Sequence, residues 1–278
     1  MILITGATGT IGSELVRLLS ARGEQVRAMT RDPSRVTGVP AVRGDFDDPE
    51  TLAAAATGVD TVFLLSAPGP WVARHDEAML EAAEAAGVRK VVKVSAIGTG
   101  ERTDVGNWHL PGEQALRSGG MEWTVLRPSS YASNALQWAA AIRSRQPIPN
   151  TTGTGQQGVV DPRDVAEVAV RALTSADHAQ TVLTLTGPDL RSVPDLAAIL
   201  GDVIGRPLET VDIPLDAYRD RMLAAGMDTG FADVAVNGSR LVAEGGNARL
   251  TDDVERSLGR PPRAFVSWAK DHRAAFIG

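Results

Sequence analysis

The 278-residue chain has no cysteine. This excludes disulfides, thiolate nucleophiles, Cys-ligated zinc and iron–sulfur clusters, so any redox chemistry has to be borrowed. Aromatic residues make up only 4% of the chain, which leaves Ala, Val, Leu and Ile to do most of the packing. Excess positive charge is also missing. The formal net charge is −6 and the basic residues are scattered, which argues against a nucleic-acid or anionic-membrane surface and leaves small molecules as the expected partners. No run of 18 apolar residues is present to span a bilayer, and the first aliphatic run opens at Ile2 with no room for a signal peptide. The expected location is therefore the cytoplasm. His75, His178 and His272 show no metal-ligand spacing, so no metal is expected. Neither a Gly-x-Ser-x-Gly elbow nor a GxxxxGK[ST] loop occurs.

What is present has a rhythm. ILIT (2–5), QVRAMT (25–30), PAVRGD (40–45), VDTVFLLS (59–66), VRKVVKVS (88–95) and MEWTVLRP (121–128) are short, β-branched runs that predict strands. Between them lie segments with 3.6-residue spacing, most of them ending on glycine as helix C-termini do. Strand and helix alternating this often predict an α/β fold with a doubly wound parallel sheet. After about residue 128 the rhythm changes. Residues 133–145 predict a helix, NTTGTGQQG (150–158) a polar loop, 162–175 a helix, TVLTLTG (181–187) a strand, and 208–276 mostly helix. The expected division is a Rossmann domain over 1–128, with segments near 151–187 returning to it, and a smaller, mostly helical substrate lobe over 129–278. No linker cuts the two cleanly, and self-association is left open.

LITGATGTIGSELVRLL (3–19) carries Gly6, Gly9 and Gly12 between a buried strand and a helix. In such a unit the first glycine permits a tight turn, the second lets backbone approach a pyrophosphate, and the third lets the helix pack closely on the strand. The amides opening the helix then face the phosphates. Gly6, Thr8, Gly9, Thr10, Ile11 and Gly12 are the cofactor-binding candidates of this turn. The TGxxGxxG spacing resembles the extended and atypical short-chain dehydrogenases/reductases, which bind a nicotinamide dinucleotide.

The second strand ends in Met29-Thr30-Arg31, with Asp32 one step later. An acidic residue at that end would hold a ribose 2′-OH, whereas an arginine suits a 2′-phosphate. Arg31 therefore favours NADP(H) over NAD. Asp45 and Phe46 follow the third strand, where this superfamily commonly places an Asp at the adenine edge; Asp45 is equally placed to cap the helix near Pro49. Ser66 and Ala67 follow the fourth strand and Ser95 the fifth, at strand C-terminal ends where open α/β sheets bind ligands.

Standard short-chain reductases carry Tyr-x-x-x-Lys as their acid. Here Ala135 stands four residues after Tyr131 and Met222 four after Tyr218, and the three lysines are Lys90, Lys93 and Lys270. Where the pair belongs the chain has His109-x-x-x-Glu113. With TGATGTIG, the Arg31-Asp32-Pro33 turn, LRPSSYASN (126–134) and GVVDPRDVAEVAVRAL (158–173), this substitution resembles the NmrA-like atypical short-chain dehydrogenases, and within them the type 2 NAD(P)H quinone reductases. That resemblance implies an NADPH-dependent oxidoreductase acting on a quinone-like or conjugated carbonyl compound. The alternative in the same family is a non-catalytic NADP(H)-binding redox sensor. His109 is the candidate proton donor or hydrogen-bonding partner; on a continuous helix it shares a face with Glu113, whereas a helix that begins at Pro111 leaves it in the preceding loop. Tyr131, by its resemblance to the family position bordering the nicotinamide, together with Asn134 and Trp71 completes the expected substrate pocket.

Overall fold

The computed structural model describes residues 1–101 and 107–277. In chain order its elements are β1 (Ile2–Ile4), α1 (Thr10–Ala21), β2 (Val26–Thr30), β3 (Ala41–Arg43), α2 (Pro49–Ala56), β4 (Thr61–Leu64), α3 (Val72–Ala85), β5 (Lys90–Val94), α4 (Leu110–Ser118) and β6 (Glu122–Pro128). The chain continues through β7 (Ser130–Tyr131), a 3₁₀ stretch over Ala132–Trp138, α5 (Ala139–Arg143), β8 (Ile148–Asn150), β9 (Gln157–Val160), α6 (Pro162–Thr174) and β10 (Thr181–Leu185). It ends with β11 (Leu190–Arg191), α7 (Val193–Ile204), β12 (Thr210–Asp212), α8 (Leu215–Ala224), α9 (Thr229–Ala243), α10 (Asp253–Leu258) and α11 (Phe265–Asp271). No helix among the described residues is long and apolar enough to cross a membrane.

Two compact units divide the chain, one formed by residues 1–128 and 163–184, the other by 129–162 and the chain from 185 onward. The first holds a seven-stranded sheet in the order β10-β6-β5-β4-β1-β2-β3. The pairings that link β3 through to β6 are parallel. Strand order therefore runs one way from β1 through β2 to β3 and the other way from β1 through β4 to β6. The reversal lies between β1 and β4, where the outgoing connections diverge and leave a crevice at the strands' carboxyl ends. Buried Leu3, Val62, Leu64, Val91 and Val125 from the sheet pack with Leu52, Met79, Leu80, Ala83 and Leu116 from the helices. This is the Rossmann-type arrangement expected from the alternating pattern.

The second unit has its own core of Trp138, Ile142, Leu196, Leu200, Phe265, Trp268 and Phe276, with Met222, Ala232 and Val236 forming a smaller cluster. Its regular structure is mostly helical, and short strands join it: β11-β9-β7 form one small sheet and β12-β8 another. The segment read as a loop over 150–158 is flanked by β8 and β9, which reach into it at Asn150 and Gln157. Strands of two to four residues are too short to display a period-2 alternation, and Pro149 in β8 argues against a strand unless it lies at an edge, as it does here.

Candidate functional site

The turn after β1 is built around steric needs that only glycine meets. Gly6 adopts φ +61°, and a Cβ there would lie 3.2 Å from the Leu65 carbonyl oxygen. Gly12 sits in the first turn of α1, where a Cβ would lie 2.2 Å from the Gly6 oxygen, so the helix rests directly on the turn. Gly9 is the N-cap of α1 and supplies no side chain to cap it. No acidic residue occupies the first turn, so the amides and the positive end of the helix are left for an outside anion. Ile11 turns its side chain into the core, which leaves only its backbone amide for a ligand, while Thr8 and Thr10 are exposed. Thr5, fully buried, ties β1 to the end of β4: its hydroxyl donates to the Leu65 carbonyl at 3.0 Å and accepts from the Leu65 amide at 2.7 Å.

This turn opens onto a crevice of about 610 Å³ at the β1–β4 reversal. That volume lies within the range of small-molecule sites. Gly6, Thr8 and Gly9 form one part of the wall, Arg31, Asp45 and Phe46 a second, and Ser66, Ala67 and Trp71 a third. Nine of the residues named from sequence thus meet around one cavity. Arg31 is exposed and, among the described residues, makes no ion pair or side-chain hydrogen bond. Asp32 is occupied elsewhere: its carboxylate accepts from the Ser34 amide at 3.1 Å and the Ser34 hydroxyl at 2.6 Å, and these bonds hold it below the usual carboxylate range. It caps the short 3₁₀ helix over Pro33–Arg35.

Asp45 does not cap the helix at Pro49. Asp48 holds that position, and Asp45 accepts from the Asp47 amide at 3.1 Å, closing a turn of its own. Phe46 stacks on His75, with ring centroids 5.1 Å apart and planes 15° from parallel. His75 Nε2 lies 3.1 Å from Asp47 Oδ1, and Arg74 pairs with the same carboxylate. Trp71 folds back at the start of α3, its indole N–H donating to the Ala67 carbonyl at 3.1 Å, and its ring lies over Gly69 where a Cβ would clash.

Two buried networks stand behind the strand ends. In one, the Ser66 hydroxyl donates to Asp76 Oδ1 at 2.7 Å, and Asp76 Oδ2 lies 2.5 Å from the ammonium of Lys93. Both charged side chains are withdrawn from water, with exposures of 1% and 0%. Burial raises the Asp76 carboxyl above its ordinary value, opposed by Lys93 and the Ser66 hydrogen bond. Gly112 of α4 lies against Asp76 with no room for a Cβ. In the other network, buried Glu113 accepts from the Ser95 hydroxyl at 2.6 Å, from Arg117 at 2.8 Å, and from Arg127 through two bonds of 2.9 and 2.6 Å.

These networks change the reading of His109. It is the N-cap of α4 with helical dihedrals, and Pro111 follows at the second helical position. Its backbone oxygen accepts from the Glu113 amide, yet the Glu113 carboxylate is held by arginines and Ser95 rather than by the imidazole. The neighbour of His109 is Lys93, whose Nζ lies 3.5 Å from Nδ1. Burial, with the Lys93 charge as the second cause, pushes the His109 pKa down to about 3. The imidazole is therefore neutral at physiological pH.

Tyr131 and Asn134 belong to the second unit. Tyr131 is in β7, in register with Val160, and burial raises its phenol above the ordinary value. Asn134 donates to the Ser130 hydroxyl at 3.3 Å.

The sequence reading missed Lys93, Asp76, Asp47 and the stacking of His75. Asp76 did carry a signal: it stands at i with Met79, Leu80 and Ala83 at i+3, i+4 and i+7, on the apolar face of its helix. Lys93 sits inside VVKV, a run otherwise apolar and fully buried.

Residues 6–176 match the NAD(P)H-binding family model. The NAD(P)H azoreductase of Xenophilus azovorans is 36% identical over 283 residues, covering 99% of both chains. Quinone oxidoreductase 2 of Escherichia coli is 25% identical over 272 residues, covering 94% of both. The solved structure of an Escherichia coli NADPH-dependent quinone oxidoreductase in complex with NADPH superposes with a TM-score of 0.86, covering 98% of this chain and 99% of that one at 24% identity. The resemblance to quinone reductases drawn from TGATGTIG and His109-x-x-x-Glu113 is in line with these relatives. On the family match over most of its length and the full-length azoreductase relative, the chain belongs to the NAD(P)H-binding family and is an NAD(P)H-dependent oxidoreductase.

Proposed function

We propose that this oxidoreductase takes NADPH in preference to NADH and reduces a small conjugated acceptor of the quinone class. When bound, NADPH supplies a hydride from its nicotinamide. The residues present fit such a dinucleotide: the uncapped amides of α1 suit a pyrophosphate, and Gly6 and Gly9 leave no side chain between backbone and phosphate. Arg31, which has no acidic partner among the described residues, provides a fixed positive charge for a 2′-phosphate, and Asp32 is held in its own turn and does not compete. Asp45, Phe46, Ser66 and Ala67 line the same crevice and are proposed as further cofactor contacts. Trp71 presents an aromatic surface at its edge.

The acceptor class rests on one observation, that among the described residues the first unit offers no competent acid at the strand ends. His109, with a pKa near 3, carries no transferable imidazolium proton, and Ser66 and Ser95 already donate their hydroxyl hydrogens to buried carboxylates. Reducing a simple ketone creates an alkoxide, whose conjugate acid resembles water at ~15.7. Reducing a quinone creates a phenolate-type oxygen of pKa ~10, about 6 units or ~8 kcal/mol less demanding. Strand ends whose described residues supply no such acid are matched to acceptors whose reduced form is stable as an anion until water protonates it. The quinone in the name of one relative belongs to that kind.

The test is NADPH oxidation followed by absorbance against benzoquinones, naphthoquinones, an azo dye, and simple ketones and aldehydes. The account expects turnover with quinones and none above background with the ketones. No oxidation with any quinone, or ketone reduction at a comparable kcat/KM, would overturn it.

A further inference from the structure

The charges nearest His109 form an ordered set. The Lys93 ammonium approaches from β5, with Asp76 of α3 behind it, while Glu113 on the same helix is neutralised by Arg117 and by Arg127 of β6. An ammonium has three hydrogens to donate and no lone pair with which to accept. Around Nζ stand three acceptors: Asp76 Oδ2 at 2.5 Å, the Val94 carbonyl at 3.2 Å and His109 Nδ1 at 3.5 Å. The ring nitrogen facing Lys93 must therefore be the one without hydrogen. A neutral imidazole has one N–H, and it then lies on Nε2.

We propose that Lys93, anchored by Asp76, is a positioning residue that fixes His109 as the Nε2–H tautomer, making the neutral imidazole a hydrogen-bond donor to the acceptor atom on which negative charge collects. This rests on the reading above that a conjugated acceptor is reduced, and it seats that acceptor beside the β5 end, where Lys93 and His109 meet. No proton leaves His109 in the step: the hydride of NADPH adds to the acceptor, the displaced electron pair settles on its oxygen or nitrogen, and water later protonates that atom. The arrangement departs from Tyr-x-x-x-Lys in kind. There a lysine eases proton release from an acid, whereas here a lysine on a strand holds a donor that keeps its proton.

The tautomer is read directly by long-range ¹H–¹⁵N correlation spectra of the free protein carrying ¹⁵N-labelled histidine, with the His109 signals assigned by their loss in His109→Gln. The expected result is a single Nε2–H pattern that does not titrate between pH 5 and 8. In Lys93→Met, His109 should become a tautomer mixture, still neutral between pH 5 and 8 because its burial remains, and kcat with quinone should fall about ten- to hundredfold. If that variant fails to fold because Asp76 is left unpaired, Lys93→Met/Asp76→Leu removes both charges and carries the same expectation. An Nδ1–H pattern in the parent protein, or an unchanged His109 spectrum in whichever variant folds, overturns the assignment. The spectra need neither cofactor nor acceptor. A failed acceptor panel with an intact Nε2–H pattern therefore counts against the substrate class alone.

Discussion

Arg31→Ala isolates the proposed cofactor preference. Arg31 is exposed and makes no ion pair among the described residues, so its removal breaks no internal contact and should leave folding unchanged. A hydrogen bond between charged groups contributes about 1.5–3 kcal/mol, and solvent exposure places this one in the lower half of that range, about 1.5–2 kcal/mol. At about 1.4 kcal/mol per factor of ten, NADPH should bind some 10- to 30-fold more weakly in the variant. NADH has no 2′-phosphate, so its dissociation constant should move by less than about twofold. Titration calorimetry of parent and variant with both dinucleotides, at low and high salt, gives the eight constants required. The NADPH penalty should shrink at high salt, because the screening length falls from about 10 Å at 0.1 M to about 3 Å at 1 M ionic strength, the scale of the contact itself. Equal losses for NADPH and NADH, or none for either, would show that the 2′-phosphate is not read by Arg31.

Further expectations follow from the packing and the buried charges. Gly12→Ala places a Cβ 2.2 Å from the Gly6 oxygen; stability should fall by about 1–3 kcal/mol and NADPH affinity with it, and an unchanged denaturation midpoint would refute the close approach of helix and turn. Glu113→Gln leaves the partly buried Arg127 without its buried carboxylate, so chemical denaturation should show a loss of up to about 3 kcal/mol. His109 binds its proton less readily folded than unfolded. Its contribution to stability is therefore complete above pH ~6.5 and is lost as pH falls toward its folded value of about 3. The slope from this one group is at most about 1.4 kcal/mol per pH unit, and urea titrations from pH 7 to 5 should show it in the parent protein and lack it in His109→Gln.

How far the sequence discloses this molecule depends on the range of the interactions involved. β1, β4 and β5 are parallel strands buried inside the sheet, so they read as nearly continuous aliphatic runs, and the glycines of the first turn stand at fixed local offsets; both are visible in a single stretch of chain. β7, β8, β9, β11 and β12 have too few residues for any period to emerge. The site divides the same way. Nine named residues meet in the crevice because strand C-terminal ends in a doubly wound sheet must converge there. His109 and Glu113, four apart, suggested a pair, yet Arg127 is fourteen residues away from Glu113 and displaces the histidine from it. Lys93 and Asp76 are seventeen apart on different elements, and only the packing of α3 over β4 and β5 brings them within 2.5 Å.

A crystal structure grown with NADPH tests the whole account most directly. It should place the pyrophosphate against the amides of Thr10, Ile11 and Gly12 and the 2′-phosphate within hydrogen-bonding distance of Arg31. A dinucleotide bound away from the β1–β4 crevice, or a crevice left empty at saturating NADPH, would contradict it.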